Sequence, residues 1–310
     1  MIKTFTLRLI LFLSPIFIFL VSAHFAVFVE TNSNTQLILQ HQTSKLAEVE
    51  AGGASIEAIF VGDSSLGVSL DAVYFSELTQ IETKNLALNG IYGYAGSYNM
   101  LRRAKRVSPD LKYVFIVHTF DMLQRPTAAD GYIRSLDMRY VHELPRSEIL
   151  EFPNRYFQTL LSRDALLAST LRRVSPLVRD IENDYVAQKD PLDEQDRLEA
   201  NPVFRPETIR PEKTEYLRQI VKFAEAHDLT VIYMHGPIWD EIVENSPEYK
   251  SKADAVIAAE NLVFLDEMLL LKWENLGDSI DHITPPLKGS STEWYVEQLS
   301  PYLQESAQSR

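Results

Sequence analysis

The chain has 310 residues, 45 % hydrophobic and 24 % charged, which are the values of a folded globular protein and exclude long disorder or a multi-span membrane architecture. Asp and Glu number 43 against 30 Lys and Arg, a net charge of −13, so a phosphate backbone would repel the chain and nucleic acid is not an expected partner. Cysteine is absent, which removes disulfides, thiolate catalysis and Cys-ligated metal sites.

The segment from Leu9 to Val29 holds no Asp, Glu, Lys or Arg. That is about the length a helix needs to cross a bilayer. Lys3 and Arg8 precede it, and no Lys or Arg follows until Lys45. The positive-inside rule therefore predicts a single-pass inner-membrane anchor over residues 1–30, with the bulk of the chain extracytoplasmic or periplasmic. Val21-Ser22-Ala23 leaves a cleaved signal peptide open as the alternative. Residues 31–54 are largely polar and charged, with Gly52-Gly53 near their end, and read as a stalk with a helical middle around Leu37, Leu39 and Leu46.

From residue 55 onward short apolar runs alternate with amphipathic stretches. The first run, Ala58 to Val61, ends in Gly62-Asp63-Ser64-Ser65 and is followed by a predicted helix over 66–79. The second, Asn85 to Leu88, ends at Asn89-Gly90, and a predicted helix over 94–107 carries a basic cluster at Arg102, Arg103, Lys105 and Arg106. The third, Tyr113 to Val117, leads into His118-Thr119-Phe120-Asp121. A helix over 215–226 precedes the fourth run, Leu229 to Met234, which closes with His235-Gly236-Pro237. A helix over 239–260, a fifth run from Leu262 to Leu265 and a final helix over 293–303 complete the series.

Strands apolar on both faces, alternating with amphipathic helices, predict an α/β fold with a parallel sheet covered on both sides. The stretch about 122–211 breaks the alternation. It is helical in composition (Phe157, Leu160, Leu161, Leu166, Leu167) and then charged, and it reads as a helical insertion within one domain over 55–310.

In such sheets ligands bind at the carboxyl ends of the strands, where the chemically capable residues of this chain gather. Ser64 follows a strand and a glycine, a setting that exposes a hydroxyl on a sharp turn beside the free N–H groups of a helix start. A serine needs a base, and His282 in Asp278-Ser279-Ile280-Asp281-His282 suits that role, with Asp278 one turn back as its orienting acid and Asp281 as the rival. His118 and His235 compete for the base role. A metal site built from these histidines with Asp63 and Asp121 lacks any supporting spacing, so neither metal nor cofactor is expected.

The ordered set resembles the SGNH, or GDSL-type, hydrolase superfamily. Gly62-Asp63-Ser64 matches that family's first block. Gly90 matches the second-block glycine that gives a backbone N–H to the oxyanion, with Gly93 a rival. His282 matches the last-block histidine, but its acid stands at Asp278 or Asp281 and departs from the Asp-x-x-His spacing. The third block, Gly-x-Asn-Asp, is not kept, since the chain reads Val117-His118-Thr119-Phe120-Asp121 without an asparagine.

The resemblance implies a three-layer, flavodoxin-like parallel fold and serine-dependent ester hydrolysis or O-acyl transfer. With an N-terminal anchor, the layout is similar to alginate O-acetylation proteins and the D-alanyl transfer protein of teichoic acids. That likeness implies an envelope or exported polysaccharide and an acyl donor as partners, beside a membrane-bound acyltransferase. A catalytically inactive SGNH-like binding or scaffold protein of such a complex is the alternative.

Overall fold

The computed structural model describes residues 34–125, 129–161, 181–182, 185–186, 191–199 and 203–308, with positions 12, 14, 15 and 18–22 before them. Helix α1 (Asn34–Glu50) leads to strand β1 (Ala58–Gly62), the short helix α2 (Ser64–Ser69), α3 (Ala72–Thr79) and β2 (Thr83–Asn85). Helix α4 (Gly93–Val107) and β3 (Tyr113–His118) follow, then α5 (Ala129–Ser135) and α6 (Arg146–Leu161). The chain returns to the sheet through α7 (Glu215–Glu225), β4 (Thr230–His235), α8 (Asp240–Glu244), α9 (Pro247–Ala258), β5 (Val263–Leu265) and α10 (Lys288–Gln308).

The five strands form one parallel sheet in the order β2-β1-β3-β4-β5, the doubly wound order whose switch point lies between β1 and β3. Period-2 alternation sends side chains to both faces. Ile59, Val61, Val114, Ile116, Val231 and Tyr233 join one core with Leu101 and Ala104 of α4 and Leu217 and Ile220 of α7. Phe60, Phe115, Val117, Ile232 and Met234 join the other with Phe75 of α3 and Tyr295, Leu299 and Leu303 of α10. Both faces are thus covered and the fold has three layers, which is why these strands read as continuous apolar runs.

Two predicted helices are each divided in two. Asp71 ends the first by capping a new helix, its carboxylate accepting from Val73 N and Tyr74 N. Ser246-Pro247 divides the second, because proline suits the first helical position and not the interior. The second strand begins earlier than the apolar run that predicted it. Leu86 N and Leu88 N still donate to Phe60 O and Gly62 O at 2.8 and 2.9 Å, so the run continues beside β1 outside the regular ladder.

The N-terminal expectation needs correction. Among the described residues no helix is long and apolar enough to cross a membrane, which overturns the single-pass anchor and the inner-membrane, extracytoplasmic placement built on it. A span needs about 20 consecutive apolar residues. The first helix described without a break, α1, has 17 residues and is studded with Gln, His, Lys and Glu. Most of residues 9–29, and Ala23 of the cleavage-site alternative, lie outside the described residues. Nor is the segment read as a stalk free-standing. Ile38, Leu39, Leu46 and Val49 of α1 enter the core, and Gln42 Nε2 and Lys45 Nζ donate to Ala87 O and Asn85 O at 2.9 and 3.0 Å.

The described part of the insertion packs against α4 and occupies its basic cluster. Arg103 Nη2 donates to Ser135 O at 2.8 Å, Arg102 lies 3.7 Å from Glu148, and Arg106 stacks on the Tyr140 ring.

Gly62 fixes the closest approach in the sheet. A Cβ there would overlap the carbonyl oxygen of Val117 on β3. Gly62→Ala is expected to destabilise the fold by at least ~3 kcal/mol, because only backbone movement relieves that overlap. Gly289→Ala, where a Cβ meets nothing within 4 Å, should be neutral or stabilising by up to about 1 kcal/mol. Urea unfolding midpoints of the two variants check both values.

Candidate active site

The site is built around Asp63, the residue between Gly62 and Ser64. Its side chain is fully buried and caps α2, with Oδ1 accepting from Ser65 N at 3.1 Å and Ser65 Oγ at 2.6 Å. Its Oδ2 accepts from Thr119 N at 2.8 Å and faces His118 Nδ1 at 3.4 Å. One carboxylate therefore binds the ends of β1 and β3 together at the switch point. Burial alone would push its pKa up. His118 by hydrogen bond and charge, then Arg125 by charge and Ser65 by hydrogen bond, reverse that and hold the carboxyl at about 2.

Ser64 opens α2 and is half-buried. Its hydroxyl makes no hydrogen bond with any described residue, in contrast to Ser65, which Asp63 engages. Gly90 opens a 3-10 turn, Gly90–Tyr92, capped by Asn89 Oδ1 accepting from Ile91 N at 3.2 Å. The N–H groups of Ser64 and Gly90 each stand at the first position of their turn and donate to no described residue. The Cβ position of Gly90 lies 3.9 Å from Asp63 Cβ, so the two turns adjoin.

His282 sits in a hairpin loop closed by an antiparallel bridge between Leu276 and Ile283. Gly277 N donates to His282 O at 2.7 Å, and Trp239 N holds the loop through Ile280 O at 2.8 Å. The loop runs into the turn Pro285–Leu287 and α10, which pack against α2. Farther along α10, Tyr295 OH meets Ser69 Oγ at 3.0 Å.

His282 Nδ1 lies 2.7 Å from Asp278 Oδ1. A carboxylate only accepts, so Nδ1 carries the proton and the Nε2 lone pair is free in the neutral ring. Burial disfavours the protonated ring. The Asp278 hydrogen bond and the charges of Asp281, Asp278 and Asp63 outweigh that and raise its pKa above the ordinary value.

Asp281 does other work. Its Oδ1 accepts from Ser279 Oγ at 2.5 Å and stands 3.8 Å from His282 Nε2, beyond a hydrogen bond. Its Oδ2 accepts from Arg125 Nη2 at 3.2 Å. Arg125 Nε donates to Asp121 Oδ1 at 2.6 Å, and Thr119 Oγ1 also donates to that oxygen. Lys213 lies near the same pair. Burial and the Arg210 and Arg125 charges lower its pKa, Asp121 and Glu212 oppose them, and the result is about 8. Arg125 and Lys213 escaped the sequence reading. The i,i+4 spacing of Asp121 and Arg125 was visible, but nothing local pointed to Asp281.

The two rival histidines are held in structural contacts. His118 is fully buried, with Nε2 2.9 Å from Ser97 Oγ and Tyr94 edge-on to its ring. His235 Nε2 is 2.9 Å from Asp254 Oδ1, and Phe120, Tyr233 and Phe264 surround the ring edge-to-face. Gly93, the rival to Gly90, follows the 3-10 turn at positive φ and begins α4. Among the described residues no group of three or more His, Asp or Glu is arranged to hold a metal ion.

No known protein-family profile matches the chain, and no curated protein is similar to it in sequence. Among solved structures it is similar to one from Streptococcus pneumonia, provisionally described as a platelet activating factor, at 11 % identity and a TM-score of 0.42, covering 85 % of this chain and 91 % of that one. The geometry of the site itself carries the functional reading.

Two titrations test these electrostatics. By NMR, His282 should titrate above the ordinary imidazole value, and Asp278→Asn should bring it down. Because folding raises this pKa, the associated stability is complete below the unfolded value and is lost as pH rises through the folded one. For Asp63 the sign is opposite: its contribution is present above the unfolded pKa and is lost as pH falls toward about 2. Asp63→Asn should therefore cost on the order of 2 kcal/mol near neutrality in denaturant unfolding, and the loss should shrink in acid.

Proposed function

We propose that this chain is a serine-dependent ester hydrolase or O-acyltransferase of the SGNH kind. The observation that carries the reading is the Asp278–His282 pair, 2.7 Å apart, with its free Nε2 in a loop pinned beside the helix that begins at Ser64. A hydroxyl and two N–H groups at adjoining turns that bond to no described residue, with an oriented imidazole, are the parts that acyl transfer needs.

Ser64 Oγ attacks the acyl carbonyl carbon while His282 Nε2 takes the hydroxyl proton. The carbonyl π pair moves onto oxygen, and the Ser64 and Gly90 N–H groups receive the negative charge. Collapse re-forms the carbonyl and breaks the bond to the leaving alkoxide, which takes the proton back from His282. Water then repeats the sequence on the acyl-enzyme and yields the acid. A sugar hydroxyl in place of water yields a new ester. Asp278 fixes the ring and stabilises the imidazolium.

A fluorophosphonate probe should label Ser64, located by peptide mass spectrometry, and Ser64→Ala should remove both the label and hydrolysis of p-nitrophenyl acetate. Asp278→Asn should lower kcat by about ten-thousandfold. With neutral His282 as the base, kcat/KM should rise with pH through the raised His282 pKa. A wild-type protein that neither takes the label nor turns over the ester defeats the proposal in favour of an inactive binding protein of the same fold.

A further inference from the structure

The guanidinium of Arg125 reaches into the turns around Ser64. Its Nε is committed to Asp121 and its Nη2 to Asp281. The third nitrogen, Nη1, makes no hydrogen bond with a described residue and lies over Gly90, where any Cβ would overlap it. A side chain at position 90 would therefore push the guanidinium end aside. The same glycine has the unspent N–H, and its Cβ position is 3.9 Å from Asp63 Cβ.

We infer that Arg125 Nη1 is a catalytic donor to the oxyanion, beside the Gly90 N–H. The inference rests on the Ser64 acyl-transfer reading. Three features carry it. At the described start of the loop after β3, Thr119 Oγ1 is spent on Asp121 and Thr119 N on Asp63, which leaves Arg125 Nη1 as the donor placed over Gly90. Four aspartates, Asp63, Asp121, Asp278 and Asp281, surround the crevice. A cation beside a tetrahedral oxyanion formed there adds to the His282 imidazolium in offsetting their charge. Finally, Asp121 and Asp281 grip two edges of the guanidinium and aim the third, so the donor is in place before the charge develops, which is the condition under which it acts most strongly.

When Ser64 Oγ bonds to the carbonyl carbon and the π pair moves to oxygen, Nη1–H donates to that oxygen along with the Gly90 N–H. When the carbonyl re-forms, the bond lapses and Arg125 keeps its proton throughout, as its neighbours' charges keep it cationic. Asp121 and Asp281 are positioning residues in this scheme.

The test is steady-state hydrolysis of p-nitrophenyl acetate, with the rate of fluorophosphonate labelling at Ser64, in the wild type, Arg125→Met and Arg125→Lys, each checked by thermal melting. Arg125→Met should lower kcat and the labelling rate by about 10²–10³-fold with KM within threefold. Millimolar guanidinium should restore part of the loss. Arg125→Lys keeps the charge but withdraws the fork, and should lose at least about tenfold in kcat. It decides the matter if the Met variant does not fold. A folded Arg125→Met or Arg125→Lys that retains wild-type kcat, or that changes KM alone, overturns the inference while leaving Ser64 catalysis intact. A wild type that neither hydrolyses the ester nor labels Ser64 overturns both.

Discussion

A single buried carboxylate sets the geometry on which the site depends. Asp63 has no solvent to ionise into, yet it is held ionised by Thr119 N, by the backbone and hydroxyl of Ser65, and by the nearby His118 and Arg125. Each of those bonds places something else. The bond to Ser65 N starts α2 and leaves Ser64 on the outer side of the turn. The bond to Thr119 N fixes where the chain leaves β3, and so where Asp121 and Arg125 stand. A buried charge is costly unless all its lone pairs are answered, and that cost makes the arrangement specific. An alternative packing that frees any one donor leaves the charge exposed to the apolar core.

A second ionic link joins the two sides of the crevice. Arg125 bonds Asp121 on the loop after β3 and Asp281 on the hairpin that carries His282. The two aspartates near His282 therefore divide their tasks: Asp278 holds the ring, and Asp281 holds the hairpin to the neighbouring loop through Arg125 and to itself through Ser279.

Much of the frame was legible in the sequence because burial on both faces leaves a plain signature. Ile59, Phe60 and Val61, or Val114 to Val117, could hardly be anything but central parallel strands. The turn chemistry at Gly62-Asp63-Ser64 and the Asp-rich approach to His282 were equally local, and so were readable. What escaped the reading depends on partners distant in sequence. The α1 segment is too polar to announce a core helix, and only the groove that receives Ile38, Leu39, Leu46 and Val49 makes it one. His118 and His235 look like candidates until Ser97 and Asp254 are seen to occupy them. The apolar N-terminal stretch misled in the other direction. Hydropathy reports how greasy a segment is, and gives no account of what a helix there would pack against.

The aromatic cluster on one face of the sheet also bears on how the chain comes to be folded during synthesis. Phe60 stacks edge-on with Phe75 at 5.0 Å and with Tyr295 at 5.9 Å, and α10 supplies Tyr295, Leu299 and Leu303 to that layer. The ribosome delivers β1 and β3 well before α10, at roughly 5–20 residues per second, so the emerging sheet waits for many seconds with that face unsealed. During that interval the face that Tyr295, Leu299 and Leu303 later cover stays open to water at Phe60 and Phe115. The same late segment brings His282 and the turn that pins it against α2, so closure of the core and arrival of the imidazole are one event. A ribosome-bound chain therefore has a serine but no base.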